Sequence, residues 1–475
     1  MVGPGILLVC IFVPIVGAII VPFLGKINTG LRNISALVFV LISFISAACA
    51  LPAALNGTPL VSSLELPLGF SFSYYGDALA VFMAMTSSLV AAIIVFYSFG
   101  YIEKYPNQNE YYSMVLLFIG SMMGLVFSTN LIFIYTYWEI SAICCWRLIG
   151  FYRKEDTVIK ANKAYLITVG GAIFMLAGFI GIYIQTGTFD LLALQGQGLD
   201  SWIVILILFG ILSKSATLPF HSWLPDAGVA PSPVTSLLHA AVLVKIGVYV
   251  YARLFLVNFH LDVVWSTAIP IIAAISAIVA AGAAIVENDI KRIIAYSTIS
   301  QLSFIFLGLS SGTMIGIAGG LLYILMHSLA KGGLFLCAGI IEHSTHTKDI
   351  RQMSGLAKRL PVTCVAFALC AFSVMGIPPF GGFFSKYMVI DGSLLSGQPW
   401  ITAVFIIGAV MTVIYLLRVF CKVFFGELSH PDIKEGTWEM VTSVAILGIL
   451  SLLAGIFINI PSQLTTFIVE SLGRW

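Results

Sequence analysis

The amino-acid sequence predicts an all-α polytopic membrane protein, and composition is the first reason. Of 475 residues, 60% are hydrophobic and 9% are charged, whereas soluble domains carry about 25% charged residues. The second reason is a series of fourteen apolar runs, each near the length of about 20 residues that crosses a bilayer as a helix. The polar connections are too short for a soluble domain, so residues 1–475 are expected to form one membrane domain. A soluble enzyme, a disordered chain and a nucleic-acid-binding protein are excluded.

The predicted spans can be read between charged or turn-rich breaks. They cover residues 4–24, 31–54, 76–100, 112–128, 130–150, 163–186, 201–220, 230–256, 264–286, 291–310, 313–342, 361–394, 400–425 and 438–460. The fourth and fifth spans are separated only by Ser128-Thr129-Asn130.

The basic residues predict how the spans are oriented. Loops after odd-numbered spans contain sixteen of the 23 lysines and arginines, span ends included, whereas loops after even-numbered spans contain only Arg253 and Arg474. Because cytoplasmic loops are enriched in lysine and arginine, both termini are expected on the extracytoplasmic side.

Five charged side chains fall inside spans and away from their ends. They are Glu139, Lys214, Lys245, Lys331 and Lys386. Each costs at least about 2.5–3.5 kcal/mol in a lipid-facing helix, so these residues are expected to face protein or water. A static ion pair explains any one of them, but one carboxylate cannot neutralise four lysines. Since burial readily lowers the proton affinity of lysine, the set favours proton transfer.

Two spans contain helix breakers next to a buried lysine. The seventh has Pro219 and Pro225 after Lys214, and the twelfth has Pro378 and Pro379 before Lys386. Proline removes a backbone donor and interrupts a helix, so helices 7 and 12 are expected to be discontinuous, although a kink without function is a common alternative. Five spans separate the two breaks, which is typical of inverted repeats.

The predicted repeats comprise helices 4–8 and helices 9–13. They correspond to residues 112–256 and 257–425, preceded by helices 1–3 in residues 1–111. Helix 14 and a short tail occupy residues 426–475.

Two histidines also lie inside spans, at positions 239 and 327. His327 and Lys331 are spaced i, i+4 and share a helix face, whereas His239 and Lys245 point in different directions. No carboxylate or cysteine is placed as a further ligand, and the eight cysteines lack a CxxC or Cys/His ligand spacing. We therefore expect no metal site and no cofactor in this chain.

Several stretches together resemble the antiporter-like subunits of respiratory complex I. They are Trp138-Glu139 and residues 214–227, 230–240, 244–249, 289–301, 327–335 and 378–386. The same family includes membrane subunits of energy-converting (group 4) hydrogenases and of Mrp-type Na⁺/H⁺ antiporters. The Trp-Leu-Pro-Asp-Ala and Leu-His-Ala-Ala-Val-Leu-Val-Lys stretches look closer to the hydrogenase type.

The resemblance implies a role for each buried charged residue. Glu139 is similar to the carboxylate that pairs with a lysine on broken helix 7, here Lys214. Lys245, with His239 as its neighbour, is similar to the central proton-carrying lysine. The remaining matches comprise the linking pair His327 and Lys331, the outlet residue Lys386, and Asp226, which is either part of the proton path or a helix-end cap.

The resemblance implies that the chain moves H⁺ or Na⁺ as a membrane subunit of a redox-driven, complex I-like or hydrogenase-like translocase. Its expected partners are further antiporter-like membrane subunits, lipid, and a soluble arm with iron–sulfur and, in the hydrogenase type, nickel–iron centres. A prokaryotic plasma membrane is the expected location. Two alternatives stay open: a subunit of an Mrp-type secondary antiporter without a redox partner, and a structural scaffold without transport.

Overall fold

The computed structural model describes residues 3–65 and 71–472, and these residues form long helices joined by short connections. Twelve of the described helices are long and apolar enough to cross a membrane. They are Gly5–Ile27, Thr29–Leu55, Ala78–Tyr101, Gln108–Phe127, Leu131–Ile149, Glu155–Thr186, Ser232–Asn258, Trp265–Val286, Ile290–Ser310, Met314–Thr345, Pro399–Phe424 and Trp438–Ile456. The helical membrane fold is confirmed.

The two predicted interruptions account for two shorter apolar helices, Ser201–Lys214 and Pro361–Met375. The first ends before a cis Leu218–Pro219 bond and is followed by short helical turns through Val229. The second ends at Gly376, in the left-handed region (φ 80°), before a cis Pro378–Pro379 bond and the helix Gly381–Leu395. Helices 7 and 12 are therefore discontinuous.

The weakest predicted boundary, Ser128-Thr129-Asn130, is confirmed as a helix break. Gln108–Phe127 ends just before it and Leu131–Ile149 begins just after it. The Asn130 side chain accepts a hydrogen bond from the Ile132 N–H, which satisfies one backbone donor exposed at the new helix N-terminus.

Four features differ from the sequence prediction. An antiparallel strand pair, Leu60–Glu65 with Ser71–Gly76, precedes the third span, and polar and apolar residues alternate with the period of a strand in residues 71–74. A two-residue parallel pair joins Gln197–Gly198 to Phe259–His260. The expected tail contains the helix Asn459–Ser471, while Arg474 lies outside the described residues.

The fourth difference concerns Arg253, which was assigned to a loop. It lies inside the span Ser232–Asn258, in a π-helical segment, and its side chain is 7% exposed. Two hydrogen bonds from its guanidinium to Asp77, of 2.6 and 2.7 Å, explain how an arginine can be buried there.

The chain divides into two compact units. The first comprises Met1–Val95, Tyr105–Ser215 and Ala241–Asp262, and the second comprises Phe96–Lys104, Ala216–Ala240 and Val263–Trp475. Within each unit the longest span, Glu155–Thr186 or Met314–Thr345, has 32 residues.

The same local backbone pattern follows the longest span in each unit. Asn130 forms an isolated bridge with Asp190, and Asp289 forms one with Asp349, so the corresponding positions are 159 residues apart. Equivalent backbone hydrogen bonds flank both bridges. This recurrence supports the predicted repeat, while its inverted orientation and its boundaries stay predictions.

The two bridge residues at helix starts are expected to stabilise the fold as N-caps. Asp289 accepts hydrogen bonds from the Lys291 and Arg292 N–H groups. Asp289→Ala and Asn130→Ala should each lower the free energy of unfolding by about 1 kcal/mol, measured by thermal unfolding in detergent. Lys154, an N-cap without a side-chain capping bond, is the control, and an equal effect of Lys154→Ala would contradict the capping argument.

Candidate functional site

The first unit contains the predicted acid–lysine pair. Lys214 is the last residue of Ser201–Lys214 and is fully buried. Its Nζ atom donates to the carbonyl oxygen of Trp138 at 2.9 Å and lies 5.0 Å from the centre of the Trp138 ring. The ammonium group is thus held by a neutral oxygen and an aromatic face.

Glu139 is half-buried on the helix Leu131–Ile149. Its Oε1 atom is buried and has no hydrogen-bond partner among the described residues, and its charge interacts with that of Lys214. Thr136 and Ile143, one turn away on either side, are exposed. The carboxylate therefore lies between Lys214 and the surface of this chain.

Lys245 is fully buried on the segment Leu243–Tyr251, which packs against the end of Ser201–Lys214. Gly247 makes this close approach possible, since a Cβ atom there would lie 2.8 Å from the carbonyl oxygen of Ile211. The backbones that carry Lys214 and Lys245 are consequently neighbours within the first unit.

The second unit contains His239, buried in the π-helical segment Leu237–Ala241. Its ring lies 4.3 Å, centre to centre, from the ring of Phe335. Neither ring nitrogen has a hydrogen-bond partner within the described part of the chain. A buried imidazole in this state is unusual.

His327 and Lys331 lie buried one turn apart on Met314–Thr345, as the sequence predicts. The Lys331 ammonium donates to the carbonyl oxygen of Ile294 at 3.2 Å and to the hydroxyl of Ser297. The His327 ring packs edge-on against Tyr323, with ring centres 6.2 Å apart.

Lys386 satisfies a backbone group that the second helix break leaves open. Its Nζ atom donates to the carbonyl oxygen of Val374 at 2.7 Å. In an uninterrupted helix that carbonyl would accept from residue 378, but Pro378 has no N–H. The ammonium also lies over the rings of Phe304 and Tyr323, 4.7 and 5.7 Å from their centres.

Sequence reasoning missed a buried polar network that extends from Lys331 to the ring beneath Lys386. Ser297, which binds Lys331, is hydrogen-bonded to the Tyr415 hydroxyl. Gln301 donates to Tyr415 at 3.3 Å and accepts from the Tyr323 hydroxyl at 2.5 Å. The four-residue spacing of Ser297 and Gln301 places two polar side chains on one face of an apolar span, and this spacing could have indicated the network.

Asp226 forms an ion pair at the end of the broken region. Its Oδ1 atom accepts from Arg292 at 2.8 Å, and Arg292 also binds Glu287 at 2.9 Å. Asp226 makes no capping hydrogen bond to the following turn. Burial alone would raise the pKa of Glu287, but hydrogen bonds from the Asn288 N–H and from Arg292 outweigh it and lower that pKa.

A second buried ion pair was also missed, because Lys291 was assigned to a loop. Its side chain is 1% exposed and binds Glu342 at 2.6 Å, while Lys348 approaches the same carboxylate at 3.3 Å. Among the described residues, no group of three His, Cys, Asp or Glu side chains could hold a metal ion.

The buried polar network is expected to stabilise the fold. Gln301→Leu leaves the buried hydroxyl of Tyr323 without its acceptor, which should cost about 1–3 kcal/mol and lower the midpoint of thermal unfolding. Tyr296→Phe on the same helix is the control, since the Tyr296 ring packs near Arg292 through its face. Equal stability of Gln301→Leu and the wild-type protein would argue against the network.

Comparison with known proteins agrees with this architecture. A family model described as NADH:quinone oxidoreductase/Mrp antiporter, transmembrane, matches residues 128–412. A second, described as the N-terminus of chain 5 of NADH–ubiquinone oxidoreductase (complex I), matches residues 65–112. Na⁺/H⁺ antiporter subunit A1 of Staphylococcus aureus is 29% identical over 97% of this chain, and that of strain JH9 is 30% identical. The chain spans 62% of the length of these curated relatives.

Three solved structures have the same fold. The Mrp complex from Dietzia sp. DQ12-45-1b matches with a TM-score of 0.88 and 22% identity, covering 99% of this chain and 97% of that chain. The archaeal membrane-bound sulfane sulfur reductase matches with a TM-score of 0.89 and 24% identity, covering 98% of this chain and 97% of that chain. Respiratory complex I from Thermus thermophilus matches with a TM-score of 0.86 and 22% identity, covering 98% of both chains. The chain belongs to the family of NADH:quinone oxidoreductase/Mrp antiporter transmembrane subunits.

Proposed function

We propose that this chain translocates protons as an antiporter-like membrane subunit of a larger complex, using Glu139, Lys214, Lys245 and Lys386, with His239, His327, Lys331 and Asp226 along the path. The observation that carries the proposal is the kind of partner that the buried lysines have. Lys214, Lys331 and Lys386 donate to carbonyl or hydroxyl oxygens.

Neutral partners matter because they leave both protonation states accessible. A buried lysine bound to a carboxylate must stay protonated, since losing the proton strands a buried negative charge. A lysine held by a carbonyl oxygen can become a neutral amine without stranding a charge, while burial weakens its hold on the proton. These residues are therefore suited to successive proton transfer.

Glu139 supplies the electrostatic control in this mechanism. Its charge stabilises the Lys214 ammonium, and attraction at this depth is much stronger than in water. A charge change in an adjoining subunit that draws Glu139 away would release the Lys214 proton towards Lys245. The half-buried position of Glu139 at the chain surface supports control by an adjoining subunit, because a carboxylate facing lipid is too costly.

Replacing the coupled residues should slow proton movement. Glu139→Gln removes a neighbouring charge that shifts a proton affinity by about 1–3 pKa units, so we expect at least a roughly tenfold lower rate. Lys214→Ala and Lys245→Ala should abolish transport. The rate is measured by fluorescence quenching in inverted membrane vesicles that contain the assembled complex.

Lys160→Ala is the matched control, because Lys160 forms only a solvent-accessible i, i+4 pair with Asp156. It should transport at the wild-type rate. Wild-type rates in Glu139→Gln, Lys214→Ala and Lys245→Ala together would refute the mechanism and favour the structural-scaffold alternative.

Two sources of energy are candidates for the complex. The motif resemblance favours a redox-driven complex with a soluble iron–sulfur arm, and the names of the curated relatives favour a Na⁺/H⁺ secondary antiporter without one. Purification of the tagged complex separates them. Co-purifying iron–sulfur or nickel-bearing subunits would support the redox complex, and Na⁺-driven proton movement without them would support the antiporter.

The proposed location is a prokaryotic plasma membrane with both termini on the extracytoplasmic side. Proton transport is the primary proposal, and Na⁺ is the alternative ion. Replacing Na⁺ by choline in the vesicle assay tests this choice, since a proton pump should keep its rate.

A further inference from the structure

The first unit contains a buried arginine that the proposed proton path does not use. Arg253 is 7% exposed and makes two hydrogen bonds, of 2.6 and 2.7 Å, to the two carboxylate oxygens of Asp77. Asp77 also accepts from the Ala80 N–H and so caps the helix Ala78–Tyr101. The pair is therefore fixed from two helices.

Arg253 continues a row that begins at Lys245. Positions 245, 249 and 253 are four residues apart and share a face of the span Ser232–Asn258. The Tyr249 hydroxyl accepts from Arg253 Nε at 2.9 Å and donates to the carbonyl oxygen of Val126. That carbonyl belongs to the last turn of Gln108–Phe127, where no intrahelical donor is left for it. The hydroxyl proton of Tyr249 is thus used in the hydrogen bond to the Val126 carbonyl oxygen.

Arg253 differs chemically from the lysines of the proposed path. A guanidinium group remains protonated under all physiological conditions, so Arg253 cannot relay a proton. Its two-point pairing with a carboxylate fixes its position as well as its charge. Fixed positive groups in narrow passages are known to exclude protons and cations.

The orientation of the pair decides the sign of its effect. Arg253 lies on the same helix face as Lys245 and is 7% exposed, whereas Asp77 belongs to a neighbouring helix and is 23% exposed. On the helix that carries Lys245, the pair therefore presents its positive member. The negative member, Asp77, lies on another element and is the more exposed of the two.

We infer that Arg253, positioned by Asp77 and Tyr249, is an electrostatic barrier that prevents a proton or cation from leaving the Lys245 site along this helix face. The inference rests on the proposed function, since it presumes that Lys245 carries a proton. It explains how transport through this unit can avoid a leak at the end of the span.

The test measures passive leak in the assembled complex. Proteoliposomes that contain it receive a potassium diffusion potential with no driving substrate, and proton uptake is followed with a pH-sensitive dye inside the vesicles. The double variant D77L/R253L removes both charges and keeps apolar volume, which is often tolerated for buried pairs. We expect its leak rate to rise roughly threefold to tenfold, less than for loss of an unpaired repelling charge, because the offsetting Asp77 charge is removed together with Arg253.

Two further variants separate charge from packing. D77N/R253Q keeps a polar, neutral pair and should leak like D77L/R253L, which also covers the case in which the leucine variant does not assemble. R253K keeps the positive charge and should stay as tight as the wild-type complex. E110L/R147L removes another arginine–carboxylate pair of this unit and should not leak.

A wild-type leak rate in either neutral double variant would overturn the inference. A leak rate of R253K as high as that of the neutral variants would also overturn it, because packing and not charge would then prevent the leak. Failure of the proposed function is visible separately. If Lys245→Ala leaves driven transport unchanged, the function fails, whereas loss of transport in Lys245→Ala with no leak in the neutral variants defeats only the barrier.

Discussion

The cost of burying charge in an apolar protein is the constraint on which the rest of this structure depends. An ion moved from water to a medium of low dielectric loses several kcal/mol of hydration free energy even after relaxation. Each buried charge of this chain must therefore be compensated by a particular neighbour. This neighbour is a carboxylate for Arg253 and Lys291. It is a neutral oxygen for Lys214, Lys331 and Lys386.

The broken helices supply part of this compensation. Proline removes a donor and leaves a carbonyl oxygen exposed inside the protein, which would be destabilising if no partner were near. In the second break that carbonyl, on Val374, accepts from Lys386. The defect and the charge thus stabilise one another, and the buried lysine and the interrupted helix form one structural feature.

The sequence was sufficient for the features that follow from local chemistry. Apolar runs predicted the spans, Asn130 marked a helix start, and Pro219 and Pro378 marked both breaks. Features set by tertiary pairing were missed. Arg253 and Lys291 read as loop residues because their partners, Asp77 and Glu342, lie 176 and 51 positions away along the chain, and no local pattern links such positions. The strand pair before the third span was missed because only residues 71–74 alternate in polarity, and four residues are the shortest run that predicts a strand.

Under the proposed function, the two kinds of neighbour give the buried cations different roles. Arg253 and Lys291 bind carboxylates, so neither can lose a proton without stranding a negative charge, and both stabilise the positions of the helices that carry them. Lys214 and Lys386 bind carbonyl oxygens, which tolerate an ammonium or an amine. The proposed proton exchange at Lys214 and Lys386 uses this tolerance, while the carboxylate-bound cations hold the surrounding helices in place.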